Sequence, residues 1–289
     1  MGPHEIDLSQ LDLRIVASDT VRLHERTDHE RVERLMASLV HDLTLKNPPL
    51  AAELPEGGYV ILDGATRTTA LRGLGCRDLL IQVVGYPGPH VRLDAWSHVL
   101  PEHVAAHVLA ALPSVDGVEV IETSYDDALH QLDTHRAVAA IIDPSGVVRL
   151  LKRATGSSTP LVARSLMDLY GGFGEIYRVP RAESIVAAQR VLHVGAASDA
   201  EAASTSLVVF PTWSTDNIIE SATTQDLLPA GITRHIIEGR ALNVNISLDI
   251  LQVEWSLEAK AAWLEKWLQT KIERRKVRVY LEPVVVFDD

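Results

Sequence analysis

Gly58-Tyr59-Val60-Ile61-Leu62-Asp63-Gly64-Ala65-Thr66-Arg67-Thr68-Thr69-Ala70-Leu71 changes its period in the middle. The apolar run Tyr59 to Leu62 has strand character and ends on Asp63-Gly64. Ala70, Leu71 and Leu74 then recur at helical spacing until Gly75 stops them. The pattern is a strand, a tight glycine turn and a helix N-terminus. The first turn of a helix carries unpaired N–H groups and partial positive charge, so it stabilises an anion; Thr66, Arg67, Thr68 and Thr69 add side-chain donors. Phosphate suits such a cradle. Asp63 conflicts with plain phosphate storage because two anions repel. A divalent metal or a substrate proton held by Asp63 removes the conflict and points to phosphoryl chemistry. The same strand, Asp-Gly and helix also serve purely structural ends in α/β proteins, so the flanking residues decide.

A chain of 289 residues buries a substantial core and exceeds most single domains, so two domains are expected. With 46% hydrophobic and 23% charged residues it has the composition of an ordinary globular protein. Lys plus Arg number 27 against 39 Asp plus Glu, a net charge of −12. Such a balance repels a polyphosphate backbone and argues against broad nucleic-acid binding, while leaving room for a local basic pocket. The single Cys76 excludes an internal disulfide and fits a reducing cytoplasm. No run approaches the ~20 apolar residues of a membrane-spanning helix. Met1 to Asp12 lacks the basic and apolar regions of a signal peptide.

Short alternating segments open the chain, Ile6 to Leu8 and Leu11 to Ile15, and Val21 to Glu25 reads as a strand end that leaves His24 and Glu25 near a loop. From Asp28, a plausible cap, Val32, Leu35, Met36, Leu39 and Val40 form the apolar stripe of a helix. Asn47-Pro48-Pro49 ends any helix; strands are expected over Leu50 to Leu54 and Leu79 to Val84.

Leu23-His24-Glu25, the amphipathic helix, Asn47-Pro48-Pro49, Asp63-Gly64-Ala65-Thr66-Arg67-Thr68 and Leu74-Gly75-Cys76 together resemble the ParB/sulfiredoxin-like fold. Within that superfamily the chain is similar to the free L-serine kinases, which make O-phospho-L-serine and include siderophore-pathway enzymes that supply diaminopropionate synthesis. Ala95-Trp96-Ser97-His98 looks like that family's Trp-x-His element, and Leu228-Pro229-Ala230-Gly231-Ile232-Thr233-Arg234-His235 like its substrate-binding segment. The departures are informative. Sulfiredoxins carry a catalytic Cys where this chain has Ala65. Partitioning ParB proteins have a Gly-Glu-Arg-Arg turn and a helix-turn-helix, neither of which is found here. Many of the kinases have His in the position of Thr66.

The resemblance implies an α/β (α+β) chain: a ParB/sulfiredoxin-like nucleotide-binding catalytic domain over residues 1–100, and an α/β domain over 101–289 that completes the site with substrate-binding groups. It implies L-serine and a nucleotide, ATP or ADP, as substrates, with Mg²⁺ delivered on the nucleotide. Serine's hydroxyl needs a carboxylate to accept its proton, a role the resemblance assigns to Glu25. Asp63 would orient Mg²⁺ or the reacting group. Gly64, Ala65, Thr66, Arg67 and Thr68 would cradle the phosphates, and Lys46 could neutralise charge on the transferred group. Trp96 and His98 would wall the serine pocket. Thr233, Arg234 and His235 present donors to its α-carboxylate, and all three converge only if they lie in a loop, because a strand would turn Arg234 away. The alternative is a ParB-like nucleotide-binding regulator that transfers no phosphate.

In the second half, Ala137 to Ile142, Pro144-Ser145-Gly146 and Val147 to Leu151 read as a hairpin, and Thr159-Pro160 starts a helix carrying Leu161, Leu166 and Leu169. Leu207 to Phe210 and Leu242 to Ile246 read as strands. Leu257 to Ile272 reads as a helix with Trp263 and Trp267 on a packing seam and a solvated basic end. His41, His90, His103, His107, His130, His135 and His193 invite a metal reading; His103 and His107 have two-ligand spacing, but no third ligand is evident.

Overall fold

The computed structural model describes residues 11–174, 176–184 and 205–279. Ile6 to Leu8 and His193 lie outside the described residues. In chain order the elements are β1 (Asp12–Ala17), β2 (Val21–Leu23), α1 (His29–Asp42), β3 (Thr44–Leu45), β4 (Leu50–Glu53), β5 (Tyr59–Asp63), α2 (Ala65–Gly73), β6 (Asp78–Val83) and β7 (Val91–Leu100). Then come α3 (Glu102–Ala111), β8 (Val118–Thr123), α4 (Tyr125–Asp133), β9 (Ala139–Ile142), β10 (Val148–Arg153), α5 (Thr159–Asp168), β11 (Tyr177–Pro180) and β12 (Ser206–Val209). α6 (Thr215–Thr224), β13 (Thr233–Ile237), β14 (Ile246–Ser247), α7 (Leu248–Gln252) and α8 (Leu257–Glu273) complete the order.

The chain divides into two compact units that interleave in sequence. The first takes the described residues of Met1–Arg22, Thr27–Val91 and Ile237–Asp289; the second takes Leu23–Arg26 and the described residues of Arg92–Ile236. Four residues around Glu25 therefore belong to the second unit although their neighbours on both sides belong to the first.

The first unit is built on a five-stranded sheet ordered β1-β6-β4-β5-β2, with β4 and β6 parallel. Leu50, Ala51, Val60, Ile61, Leu79, Leu80 and Ile81 are almost wholly buried in it. Where β4 meets β5 the register shifts, Leu50 opposing Asp63 while Ala51 opposes Ile61, so β5 carries one extra residue just before Asp63. Such a bulge bends the strand and re-aims the next side chain. Helices α1 and α2 pack together. Asp28 caps α1 as its side chain accepts from the Arg31 amide at 2.8 Å. Val32 and Leu39 are buried, but Val40 is 56% exposed rather than core. Eight residues on from Val32, it has rotated about 80° off the stripe's axis. Leu242 to Ile246 is not a strand up to Ile246: Asn243 and Asn245 have φ of 54°, left-handed backbone that Asn tolerates and a strand excludes.

Helix α8 packs on β1 and is tied to the start of the neighbouring β6 by a buried ion pair. Lys260 Nζ donates to Asp78 Oδ2 at 2.6 Å and to the Leu251 carbonyl at 3.3 Å, with side chains 0% and 3% exposed. The stacked Trp263 and Trp267 rings, 6.3 Å apart, stand half-buried on the same helix.

The second unit carries a sheet ordered β11-β7-β12-β9-β10-β8, with β13 also paired to β7. The expected hairpin is present as β9 and β10, Val148 opposite Ile142. Its core collects Ala128, Leu132, Ala140, Ile142, Leu150 and Val209. On α5, Leu166 is buried but Leu161 is 42% exposed, because it follows Pro160 in the first turn at the helix's rim. His103 and His107 do fall on one helix, α3, and both rings face Phe173, at 6.2 and 5.6 Å. Among the described residues no group of three or more His, Cys, Asp or Glu could hold a metal ion. No helix among them is long and apolar enough to cross a membrane.

Removing one member of a buried ion pair leaves the other charge uncompensated. Lys260→Ala should lower unfolding stability by about 3–5 kcal/mol in urea titration. Lys260→Met combined with Asp78→Asn should recover much of that loss.

Candidate active site

In the first unit the turn after β5 has the geometry its residue types dictate. Gly64 has φ of +97°, and a Cβ there would stand 3.1 Å from Arg67 and from Pro49 Cα, so both backbone and space require glycine. It caps α2 without a side-chain hydrogen bond, leaving the helix's first-turn amides to other partners. Arg67 reaches back over the turn: Nη1 donates to the carbonyls of Asn47 at 2.9 Å and Pro48 at 3.3 Å, and Nη2 to Asp63 Oδ2 at 3.0 Å. Asn-Pro-Pro is thus held against the Asp-Gly turn by one guanidinium.

Asp63 Oδ2 also accepts from Arg240 Nη2. Two guanidiniums on one carboxylate leave the trio with a net charge of +1. The repulsion that Asp63 would direct at a phosphate is thereby reversed. Arg240 lies 177 residues beyond Asp63 and carried no signal in the sequence. Thr68 departs from its expected role. Its hydroxyl donates to the Gly64 carbonyl at 3.1 Å, its amide to the same oxygen at 2.9 Å, and it is fully buried. Both donors close the helix's first turn, so neither faces an anion. Lys46 Nζ pairs with Asp42 at 3.2 Å, one turn back along the chain.

In the second unit the segment around Glu25 forms a parallel bridge with Leu228. The Arg26 amide donates to the Leu228 carbonyl at 2.8 Å and the Leu228 amide to the His24 carbonyl at 2.9 Å. Ser221 on α6 places Oγ 2.8 Å from the carbonyls of both His24 and Asp226. Arg164 pairs with Asp226 at 2.7 Å and steadies the same loop. Glu25 is half-buried. Its Oε2 accepts from Thr233 Oγ1 at 3.2 Å and, more weakly, from the Gly231 amide at 3.5 Å. Glu25 Oε1 takes no hydrogen bond from the described residues.

Thr233-Arg234-His235 is a strand, not a loop, so the three donors do not converge. β13 lies along β7, and the Trp96 amide donates to the Ile232 carbonyl at 3.0 Å. Alternation then sends Thr233 and His235 to one side and Arg234 to the other. Thr233 meets Glu25 and His24, and the His235 ring stands edge-on to His24 at 5.4 Å. Arg234 instead pairs with Asp94 at 3.2 Å and lies over Trp96, 4.6 Å from the ring centroid. Asp94 went unread in the sequence, although the alternation Asp94, Trp96 along β7 puts the two on one face.

His98 does not wall a pocket. It is 1% exposed, with Nδ1 2.9 Å from Tyr170 Oη and Nε2 2.9 Å from the Gly231 carbonyl. A carbonyl only accepts, so Nε2 carries the proton and Nδ1 accepts from tyrosine. His98 thus acts from behind, fixing Gly231, whose φ of +82° favours glycine. Arg178, opposite His98 on β11, was likewise unread. Burial pushes the His98 imidazolium down to about 4, and burial raises the Tyr170 phenol far above its ordinary range.

The two units share their fold with solved free serine kinases. No family model matches the chain. It is 23% identical over 279 residues to the ATP-dependent L-serine kinase SbnI of Staphylococcus aureus, covering 96% of this chain and 97% of that one. The structure of SbnI with a C-terminal truncation superposes with a TM-score of 0.68 at 20% identity, over 91% of this chain and 97% of the other. A free serine kinase in complex with AMP gives a TM-score of 0.65 at 16% identity, over 84% and 94%.

The unfolded chain takes up a proton on His98 near pH 6.5, whereas the folded protein does so only near 4. The stability that neutral His98 contributes is therefore complete above pH 6.5 and declines as pH falls to 4. The drop should be roughly 3 kcal/mol in pH-dependent denaturant unfolding. His98→Gln, which has no imidazole to protonate, should show a flatter profile over that window.

Proposed function

We propose that the protein transfers the terminal phosphoryl group of ATP to the hydroxyl of free L-serine, giving O-phospho-L-serine. The observation that carries this reading is the Glu25 carboxylate: one oxygen is held by Thr233 and Gly231 while the other takes no hydrogen bond from the described residues. A general base needs that arrangement, anchored on one side and open on the other. The similarity to a serine kinase over nearly the whole chain supports the substrate, and that relative's name supports ATP.

In this account Glu25 Oε1 accepts the proton of serine Oγ as that oxygen bonds to phosphorus. Arg234, stacked on Trp96 and oriented by Asp94, pairs with the serine α-carboxylate. The amides of Ala65, Thr66 and Arg67, with the Thr66 hydroxyl, receive the nucleotide's phosphates, and Gly64 keeps the turn open to them. Thr68 braces that turn from inside. Lys46 sits one residue before the Asn-Pro-Pro segment and adds positive charge.

Mg²⁺ fits this arrangement as an ion carried mainly by the phosphates, since it needs only one or two protein carboxylates and Asp63 is the one at the turn. Bound there it would neutralise charge on the transferred group. Arg67 and Arg240 hold Asp63 in place and keep the turn's net charge positive for the nucleotide.

Glu25→Gln should lower kcat for phosphoserine formation by about 10²–10⁴-fold and leave serine affinity nearly unchanged. Full turnover in this variant would exclude Glu25 as the base. Arg234→Ala should chiefly raise the serine KM, by tenfold or more on the order of a lost charge-assisted pair. An unaltered KM would remove Arg234 from serine binding.

A further inference from the structure

Thr233 Oγ1 lies 3.2 Å from Glu25 Oε2 and also 3.2 Å from His24 Nε2. A hydroxyl has one proton to give. An ionised carboxylate can only accept, so Thr233 donates to Glu25. The contact with His24 then contains a proton only if Nε2 carries it. The opposite tautomer would set two acceptors against a single hydroxyl proton and leave one contact without any. The satisfied arrangement is a one-way chain in which His24 donates to Thr233 and Thr233 donates to Glu25.

The surroundings hold His24 to that task. It is 1% exposed, its carbonyl accepts from the Leu228 amide, and the His235 ring stands edge-on at an interplanar angle of 78°. It immediately precedes Glu25, so the segment that delivers the carboxylate also delivers the group that fixes its partner.

We propose that His24 is a positioning residue for Glu25, acting through Thr233; this rests on the reading of Glu25 as the general base. His24 keeps the only proton of Thr233 on Oε2. The carboxylate cannot turn that oxygen outward without breaking the chain, so Oε1 faces the serine hydroxyl. In the transfer, the proton of serine Oγ passes to Oε1 as the Oγ–P bond forms. The bond between the terminal phosphorus and its bridging oxygen breaks, and its electron pair leaves on the nucleoside diphosphate. His24 exchanges no proton with substrate in this step; it fixes which carboxylate oxygen receives one.

The test combines a tautomer measurement with kinetics. In ¹⁵N-histidine-labelled wild-type protein, His24 should give the resonances of a neutral ring protonated at Nε2, and Thr233→Val should remove that preference. His24→Phe should lower kcat by about tenfold or more while the serine KM stays within about twofold. His24→Gln, which keeps an amide donor at similar reach, should restore most of the rate. Because the two residues act as one chain, His24→Phe combined with Thr233→Val should fall no further than the worse single variant. Thermal melts establish that each variant is folded; if His24→Phe is not, Thr233→Val, Thr233→Ser and His24→Gln carry the comparison. An Nδ1-protonated His24 in the wild type, or losses that multiply in the double variant, would overturn the proposal. A wild-type protein that makes no phosphoserine would overturn the kinase reading instead, and the tautomer would still decide whether His24 holds Glu25.

Discussion

Strand alternation along Thr233–Ile237 is the constraint on which the second unit's chemistry depends. Once β13 is fixed to β7, its side chains divide between two faces, and each face finds a different partner. Thr233 and His235 turn to the His24-Glu25 segment, which backbone bonds to Leu228 hold in place. Arg234 turns to Asp94 and Trp96. Adjacent residues of one strand thus hold the Glu25 carboxylate on one face and set a guanidinium against Asp94 and Trp96 on the other. Behind them, the buried His98 and Tyr170 fix Gly231, whose carbonyl accepts from the His98 ring and whose amide donates to Glu25.

The first unit solves a separate electrostatic problem. A carboxylate beside a helix N-terminus would repel an anion brought there unless something cancels its charge. Here Arg67 reaches it from the helix that follows, and Arg240 from a segment far along the chain. These groups are roughly one-fifth to two-fifths exposed, so solvent screens each pair and their value lies in the sign of the local field more than in stability. Arg67 also fastens Asn47 and Pro48, which explains why a proline pair and an Asp-Gly turn distant in sequence belong to one construction.

Local patterns made much of this legible. The period change at Asp63-Gly64, the Asp28 cap, the β9–β10 hairpin and the long tryptophan-bearing helix each follow from neighbours in sequence. Glu25 stood out through its resemblance to a kinase motif. What the sequence hid were partnerships across distance. Arg240 on Asp63, Asp94 on Arg234 and Thr233 on Glu25 depend on how strands assemble, which no local spacing encodes. The Thr-Arg-His row was expected in a loop because three adjacent donors suggested one ligand; pairing with β7 overrode that. The interleaving of the two units had no local marker either, since Leu23–Arg26 join the second unit through contacts with residues distant in sequence, near 221–235. Thr68 and His98 were placed by motif position alone, and burial turned both into supports.

Phosphorus NMR tests phosphoryl transfer to a free amino acid most directly. Purified protein with Mg²⁺ and L-serine, incubated in parallel with ATP and with ADP, should produce a phosphoserine resonance with ATP together with a matching amount of ADP. Glu25→Gln should leave the nucleotide signals nearly unchanged over the same time. Tight nucleotide binding without phosphoserine from either donor would contradict the account and favour a nucleotide-binding regulator that transfers no phosphate.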